Sequence, residues 1–263
     1  MVRLPVLDAS GVAPGTGAVT DLFAPALIER LVGATDGDAI EVPHGAEARW
    51  SRDSTGRLWV RKRESFTGYN GLLAEAICHL LGGELGVRQP NAAVLHDGVE
   101  WSWMSEAVPA VRHWSPAFAD LIDNPDEVAH MLALDAVTLN DDRHAANILA
   151  QPKDDHAHYV LWAIDSGNAL VGQPADLLRA GLDHPNPRNH AVGLPVDALR
   201  ASAMAAAEVA GTIPEERLLH IVSEACGLAR EPRVPAIADA LIQRCRHAPQ
   251  IVASYVDALG AHS

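Results

Sequence analysis

The 263-residue chain has little positive charge and few aromatic side chains. It has 20 Lys and Arg against 34 Asp and Glu, a formal net charge of −14, and 5% aromatic residues. Because clustered positive charge drives nonspecific binding to nucleic acid and anionic lipid, neither partner is expected. No apolar run approaches the roughly 18 residues of a membrane span. The N-terminus lacks a basic region followed by an apolar segment, so we expect a cytoplasmic protein without a secretory signal.

Cysteine is also scarce, and neither the cysteines nor the histidines have the spacing of a zinc site. Cys78, Cys226 and Cys245 are far apart and lie in helical patterns, which argues against a disulfide framework or a thiolate metal site. We expect buried free thiols. The 13 histidines are dispersed, and the pair His156 and His158 lies in an acidic linker rather than on a helix face. A structural zinc site is therefore not expected.

Lysine is the rarest basic residue. Eighteen of the 20 basic residues are arginine, and Lys62 and Lys153 are the two lysines. In such a chain a remaining lysine is a candidate for work that a planar guanidinium does poorly, such as placing a compact ammonium between phosphates. Lys153 lies in a predicted turn. Lys62 ends the run that starts at Arg57, which we interpret as the second strand of a hairpin with its turn at 53–56.

The most informative polar segment is 142–147, which reads Asp-Arg-His-Ala-Ala-Asn. It follows an apolar pattern, with spacings of three and four, that predicts a buried helix ending near Asn140. Four residues separate Asp142 from Asn147, as they separate the catalytic Asp from the metal-binding Asn in protein-kinase loops. Asp141 would leave five intervening residues. Asp142 is therefore the better candidate for a general base.

A second acid follows a predicted strand. Ile148 and Leu149 begin one short strand, and 159–164, rich in β-branched and large apolar residues, predicts another. Asp165 opens the Asp-Ser-Gly that comes next, and an Asp-x-Gly supplies a Mg²⁺ ligand in kinases. The alternative is that both polar segments are ordinary turns. Their order, spacing and flanking strands favour a metal site.

A helix after Lys62 provides a partner for it. Apolar residues in 70–81 share one helical face, and we expect this helix to end at Gly82 and Gly83. Glu75 is then placed to pair with Lys62. The alternative is that Glu75 lies on a solvated helix face and that Lys62 ends an exposed strand.

The next hairpin, 92–95 with 99–104, is interpreted as leading to an interlobe hinge. Ser105, Glu106 and Ala107 would offer backbone groups to an adenine ring, with Met104 as an apolar neighbour. An ordinary edge strand is the alternative.

In this order, the lysine, glutamate, hinge, Asp-Arg-His-x-x-Asn and Asp-x-Gly motifs resemble those of the HipA-like and phosphatidylinositol 3/4-kinase-like branch of atypical kinases. The Asp-Arg-His tripeptide carries the distinction, because common protein kinases place His-Arg before the catalytic Asp. The resemblance covers 41–172 and implies an α+β, two-lobed protein-kinase-like fold. Its implied parts are a small antiparallel β N-lobe with one αC-like helix and the hinge at 21–107, and a mostly helical C-lobe at 108–263 with the catalytic loop at 140–149 and the metal motif at 163–167. The Gly, Ala, Pro and Thr content of residues 1–20 predicts a flexible arm.

The resemblance also implies ATP and Mg²⁺ as cofactors. Asp142 would orient and deprotonate the acceptor hydroxyl, while Asn147 and Asp165 would hold Mg²⁺ against the triphosphate.

Three further roles are implied around these residues. Lys62 would bind phosphate with Glu75 as its orienter. Arg143 and His144 would brace the catalytic loop or meet the γ-phosphate, and a packing role is the alternative.

Two positions depart from the family pattern. No glycine-rich loop precedes Lys62, where only Pro43-His44-Gly45-Ala46-Glu47 stands, and Ser166 replaces the aromatic residue of Asp-Phe-Gly.

The remaining segments are predicted to be scaffold. Pro25 to Val32 is expected to form a short helix. The passage 172–195 contains 183–190, which is either an activation or substrate loop or an irregular surface connection. Ala-rich amphipathic helices are predicted at 199–209, 214–226 and 234–259.

The motifs together predict an ATP- and Mg²⁺-dependent phosphotransferase. A Ser or Thr of a protein is the first candidate acceptor, a small molecule the second, and an inositol lipid the third because the acidity of the chain disfavours lipid. A nucleotide-binding pseudokinase or regulatory module is the alternative. An antitoxin-type partner belongs to some HipA relatives, and no residue here indicates one.

Overall fold

The computed structural model describes residues 26–40, 48–123, 125–153, 158–187 and 196–260. The predicted arm at 1–20 and the segment Pro43 to Glu47 lie outside the described residues. So does the end of the 183–190 passage, from residue 188 onward.

The N-terminal half contains a mostly antiparallel sheet of six strands within the described residues, in the order β1-β5-β6-β4-β3-β2. Only the pairing of β1 with β5 is parallel. One long helix, α1, follows β4 directly and packs on the sheet. This arrangement confirms the predicted α+β class and the N-lobe with one helix. The strands are β1 Ile28–Leu31, β2 Ala34–Ile40, β3 Ala48–Asp53, β4 Leu58–Arg63, β5 Ala92–His96 and β6 Trp101–Glu106, and α1 is Glu64–Glu84.

The hairpin that presents Lys62 is closed by Asp53. Its carboxylate accepts hydrogen bonds from the backbone N–H of Thr55 at 2.8 Å and of Arg57 at 3.0 Å, and from the Trp59 indole at 3.0 Å. Gly56 has φ of +90°, a left-handed conformation that glycine adopts without strain. The predicted hairpin and its turn are confirmed.

The predicted helix at Pro25 to Val32 is wrong, since Ile28–Leu31 forms strand β1 beside β5. Ile28 packs against the main core, whereas Leu31 packs against the smaller cluster around Trp59. Two residues three apart lie on one side of a helix but on opposite faces of a strand. As a strand, this segment contacts the main core with one face and the smaller cluster with the other. A helix would place both residues on the same side.

Helix α1 starts before the predicted range and does not end at its two glycines. Gly82 and Gly83 lie inside the helix, at positions where neighbouring atoms come too close to leave space for a side chain. A Cβ on Gly82 would stand 2.1 Å from the side-chain nitrogen of Gln89, and one on Gly83 would stand 2.5 Å from the Cβ of Ala26. These glycines therefore allow close packing and do not end the helix.

Helix α1 also packs against the C-terminal half. A Cβ on Gly172 would stand 2.2 Å from the carbonyl oxygen of Asn70 and 2.9 Å from the Cβ of Ala74. Near the other end of α1, Arg217 donates two hydrogen bonds to Glu84, at 2.8 and 2.6 Å. The helix that carries Glu75 is thus fixed to both halves of the molecule.

The C-terminal half is mostly helical, with a small antiparallel sheet in the order β7-β8-β9. The predicted helix before the polar loop is confirmed. The predicted helix at 234–259 is instead two helices, because Pro249 lacks the N–H that a continuous helix would need and the chain turns at His247. The elements are β7 Arg112–His113, α2 Asp126–Thr138, β8 Ile148–Pro152, β9 Tyr159–Ala163, α3 Pro174–Ala180, α4 Val196–Thr212, α5 Glu215–Ala229, α6 Val234–Arg246 and α7 Ala248–Gly260.

One large apolar core joins α1, α2 and the C-terminal helices. Cys78, Cys226 and Cys245 are buried free thiols, as predicted, and burial raises the pKa of Cys78 to about 12. Among the helices of the described ranges, none combines the length and the apolar character needed to cross a bilayer.

Candidate active site

Lys62, near the end of β4, meets one carboxylate from the helix that follows β4 and a second one from a distant part of the chain. Its Nζ lies 2.8 Å from Oε1 of Glu75 on α1 and 2.6 Å from Oδ1 of Asp165, which follows β9. Lys62 and Glu75 thus form the pair that the sequence predicted, and Asp165, which was predicted separately, joins them. A strand, a helix and a loop each contribute one charge.

The charges in this group stabilise one another. Burial disfavours the charged form of Lys62, but the carboxylates of Asp165 and Glu75 outweigh it and raise the pKa of the ammonium. Burial likewise opposes ionisation of Asp165, yet Lys62, assisted by Arg143, holds the pKa of Asp165 below its usual value. At neutral pH Lys62 is therefore an ammonium and Asp165 a carboxylate.

Glu75 has a second partner beyond Lys62. Its Oε2 accepts a hydrogen bond from the backbone N–H of Ser166 at 3.1 Å. Asp165 itself has φ of +58°, a left-handed conformation that Asp tolerates better than most residues. The helix glutamate therefore fixes both the lysine and the turn that carries the aspartate.

The predicted catalytic loop is held by its own side chains. Leu139, with φ of +52°, ends α2 in the left-handed conformation. Asn140 then donates to Asp135 at 2.8 Å and accepts from the Asp142 N–H at 3.2 Å. The side-chain nitrogen of Asn147 donates to the carbonyl oxygen of Asp142 at 2.7 Å, which closes the loop.

Arg143 is an internal brace, which is one of the roles expected for it. Only 1% of the residue is exposed, and its guanidinium pairs with Asp135 at 3.1 Å. It also donates to the carbonyl oxygens of Asn147, at 2.9 Å, and of Ile164, and to the hydroxyl of Ser166 at 3.1 Å. One side chain thus ties α2, the catalytic loop and the metal motif together. The expected contact of Arg143 with a γ-phosphate is not compatible with this burial.

Asp142 presents its carboxylate at the surface, with 38% of the side chain exposed. Its Oδ2 accepts a hydrogen bond from the Asn168 side chain at 2.7 Å, and its Oδ1 lies 3.7 Å from Nε2 of His144. Nδ1 of His144 accepts a hydrogen bond from the Ala146 N–H at 3.2 Å. In the neutral ring the proton is therefore on Nε2, which faces Asp142.

Asn147 and Asp165 emerge at the same end of the β8–β9 hairpin, in which Ile148 pairs with Ala163. Their amide and carboxylate oxygens are ligands that Mg²⁺ accepts, so these residues fit the ion. Within the described residues, no group of three or more His, Cys, Asp and Glu side chains could hold a metal. An ion at this pair would rely on phosphate oxygens and water for its other ligands, as Mg²⁺ commonly does.

The expectation that Met104 adjoins an adenine ring is wrong. Met104 is fully buried with Trp59, Ala93 and Leu95 in the smaller apolar cluster. Lys62 pairs with Trp103 across β4 and β6, so by strand alternation Trp103 faces the cleft and Met104 faces away. Trp103 and Ser105 indeed line a cavity together with Asp165, Ser166 and other cleft residues.

The expected hinge residues Glu106 and Ala107 use their backbone N–H groups within the fold. The N–H of Glu106 donates to the carbonyl oxygen of Asn91, and that of Ala107 donates to the carbonyl oxygen of Leu58, both at 2.8 Å. These two N–H groups are therefore not available to an adenine ring unless those hydrogen bonds break. The predicted adenine contact would have to use other groups of the hinge.

Sequence patterns missed Asp135, Ser166 and Asn168 as parts of the site. A signal existed for Asp135, because an acid in the middle of the apolar run 131–137 must be buried on a helix without an exposed face. Ser166 was seen only as a departure from an aromatic. Its hydroxyl and N–H bind Arg143 and Glu75, which an aromatic side chain at this position would not reproduce.

Comparisons with known proteins agree with this architecture. No protein-family model and no curated protein matches the sequence of the chain. Among solved structures, the proinflammatory kinase CtkA of Helicobacter pylori is similar with a TM-score of 0.53 and 12% identity, over 90% of this chain and 98% of that one.

A second similar structure comes from the complex of the toxin–antitoxin proteins HipA and HipB with operator DNA from Shewanella oneidensis. It has a TM-score of 0.45 and 11% identity, over 92% of this chain and 69% of that one. The likeness to CtkA gives this chain a kinase-like fold, in agreement with the resemblance predicted from its motifs.

Proposed function

We propose that the protein is an ATP- and Mg²⁺-dependent phosphotransferase that moves the γ-phosphate to a hydroxyl, with a Ser or Thr of a protein as the first candidate acceptor. The observation that carries the proposal is the position of the Lys62 ammonium between Glu75 and Asp165. Two motifs that are neighbours in the sequence and a third far from both meet at this ammonium, which supports the proposal of phosphoryl transfer.

Each residue has a part in this chemistry. Lys62 would bind the phosphates of ATP as a compact cation held in place by Glu75. Asn147 and Asp165 would hold Mg²⁺, which neutralises negative charge on the phosphates when bound. Phosphoryl transfer needs positioning and electrostatic stabilisation more than covalent help from the protein, so this small set is sufficient.

Asp142 is the proposed general base. Its backbone is fixed by Asn140 and Asn147, while its carboxylate faces solvent, where an acceptor hydroxyl could reach it. A base must come within hydrogen-bond distance of the proton that it removes. A rigid backbone under an exposed carboxylate meets that requirement.

The acidic composition of the chain affects which hydroxyl is expected to accept the phosphate. A net charge of −14 disfavours an anionic membrane surface, which leaves a protein or small-molecule hydroxyl ahead of an inositol lipid. CtkA is described as a kinase, which supports phosphotransfer as the activity of this fold.

The test is transfer of labelled γ-phosphate from Mg²⁺-ATP to the protein itself and to a cell lysate. Asp142→Ala should lower the rate roughly 10²- to 10⁴-fold, the usual contribution of a positioned general base. The neighbouring Asp141 is a matched control, since its carboxylate accepts the N–H of Asn186 instead. Asp141→Ala should keep the rate within a few-fold.

Full transfer by Asp142→Ala would overturn the assignment of the base. If the wild-type protein bound Mg²⁺-ATP tightly and transferred nothing, it would be a nucleotide-binding module rather than an enzyme.

A further inference from the structure

Asn168 is the one side chain that donates a hydrogen bond to the Asp142 carboxylate within the described residues. We propose that Asn168 is a positioning residue that fixes the rotation of this carboxylate, so that Oδ1 is the oxygen presented to the acceptor hydroxyl. The inference rests on the proposed function and adds a residue that no motif assigns.

The turn that carries Asn168 is rigid enough for this task. The N–H of Ala169 donates to the carbonyl oxygen of Ser166 at 3.0 Å, which closes a tight turn with Asn168 at its third position. The N–H of Leu170 then donates to the carbonyl oxygen of Leu139 at 3.1 Å, which joins the turn to the end of α2. The end of the turn is therefore anchored to the helix that leads into the catalytic loop.

Ser166 anchors the turn at its start. Its N–H is bound by Glu75 and its hydroxyl by Arg143, so the turn moves with the lysine site and with the buried brace. Asn168 is exposed, yet its backbone is determined by these contacts. A side chain on such a support costs little to hold in one orientation.

The other oxygen of Asp142 has a different neighbour. His144 Nε2 stands 3.7 Å from Oδ1, too far for a good hydrogen bond. Oδ2 is engaged by Asn168 at 2.7 Å. The carboxylate is therefore held on one side and open on the other, and the open oxygen is the one that can accept a proton from a substrate.

We expect three Asn168 variants to differ in their rates of transfer from Mg²⁺-ATP. Asn168→Ala should lower kcat roughly 10- to 100-fold, because small misplacements of a reacting group cost up to about 10²-fold, while KM for ATP stays within about twofold. Asn168→Asp should be worse, since it places a second carboxylate against Asp142. Asn168→Gln, which keeps the amide donor on a longer side chain, should recover part of the loss.

A double-mutant cycle separates positioning from direct contact with substrate. If Asn168 acts through Asp142, adding Asn168→Ala to Asp142→Ala should change the residual rate by less than about twofold. Additive losses, or a kcat unchanged in Asn168→Ala, would overturn the inference and leave the proposed function standing. Absence of transfer by the wild-type protein would overturn the proposed function and this inference with it.

Discussion

Arg61 and Lys62 are neighbours on β4, yet they belong to two different kinds of charge network. Arg61 points to the outer face of the sheet, where its guanidinium donates to Ser102 at 2.9 Å, Asp36 at 2.9 Å and Asp97 at 2.7 Å. Lys62 points to the cleft and meets Glu75 and Asp165. One strand thus carries, side by side, a cation that ties the sheet together and the cation proposed to bind phosphate.

The difference lies in where the partners come from. The partners of Arg61 lie on β2, on β6 and in the turn before β6, so its network holds the sheet together. The partners of Lys62 lie on α1 and after β9, so its network spans the two halves of the molecule. A guanidinium with three fixed acceptors suits the first task, and a compact ammonium that can also meet a phosphate suits the second.

The strongest challenge to this contrast is Arg143, which lies beside the cleft but is bonded like a structural cation. Arg143→Met should lower the free energy of unfolding by about 3–5 kcal/mol, because it leaves the Asp135 carboxylate buried without its cation. Denaturant unfolding measures this loss. A variant as stable as the wild type but impaired in transfer would contradict the assignment of Arg143 as a structural brace.

Exchanging lysine and arginine at the two neighbouring positions of β4 tests whether their roles differ. Lys62→Arg keeps the charge but replaces the compact ammonium, so transfer should fall roughly 10²- to 10³-fold, the cost of losing one preorganised donor. Arg61→Lys should keep transfer per folded molecule but lower the free energy of unfolding by about 2 kcal/mol, since one ammonium does not reach all three acceptors. Kinetics and denaturant unfolding of both variants are the measurements. Equal effects of the two exchanges on transfer would remove the distinction.

The smallest expected effect concerns pH on the outer face. The backbone N–H groups of Glu100 and Val99, followed by Arg61, hold the pKa of Asp97 well below its usual value of 3.8. The stabilisation from Asp97 is thus complete above pH 3.8 and is lost as the pH falls towards the lowered pKa. Asp97→Asn should lower the free energy of unfolding by about 1 kcal/mol at pH 7.

At lower pH this difference between Asp97→Asn and the wild type should shrink. Unfolding measured from pH 7 down to pH 2 checks the sign, and a difference that grows on acidification would contradict it.

Local patterns in the sequence were sufficient for much of this site. The spacing of Asp142 and Asn147, the strands on either side of them, and the hairpin before Lys62 are set by neighbouring residues, and the structure has all of them. The ion pair of Lys62 with Glu75 was also predictable, because the strand and the helix are adjacent in the chain.

Long-range packing decided what the sequence left undetermined. Ile28–Leu31 became a strand because β5 and two separate cores receive it. The face of Met104 depends on its register with β4, which no local pattern specifies. Asn168 reaches Asp142 only because a turn after β9 folds back onto the end of α2.

The close approach of Gly172 to α1 has a mechanical consequence. Any side chain at that position would push against the carbonyl oxygen of Asn70, which lies before Glu75 on the same helix. Since Arg217 holds the far end of α1 through Glu84, the helix would tilt about that end rather than slide. The distance between Nζ of Lys62 and Oε1 of Glu75 therefore depends on how closely the two halves of the protein pack. A larger side chain at position 172 should first lengthen that distance.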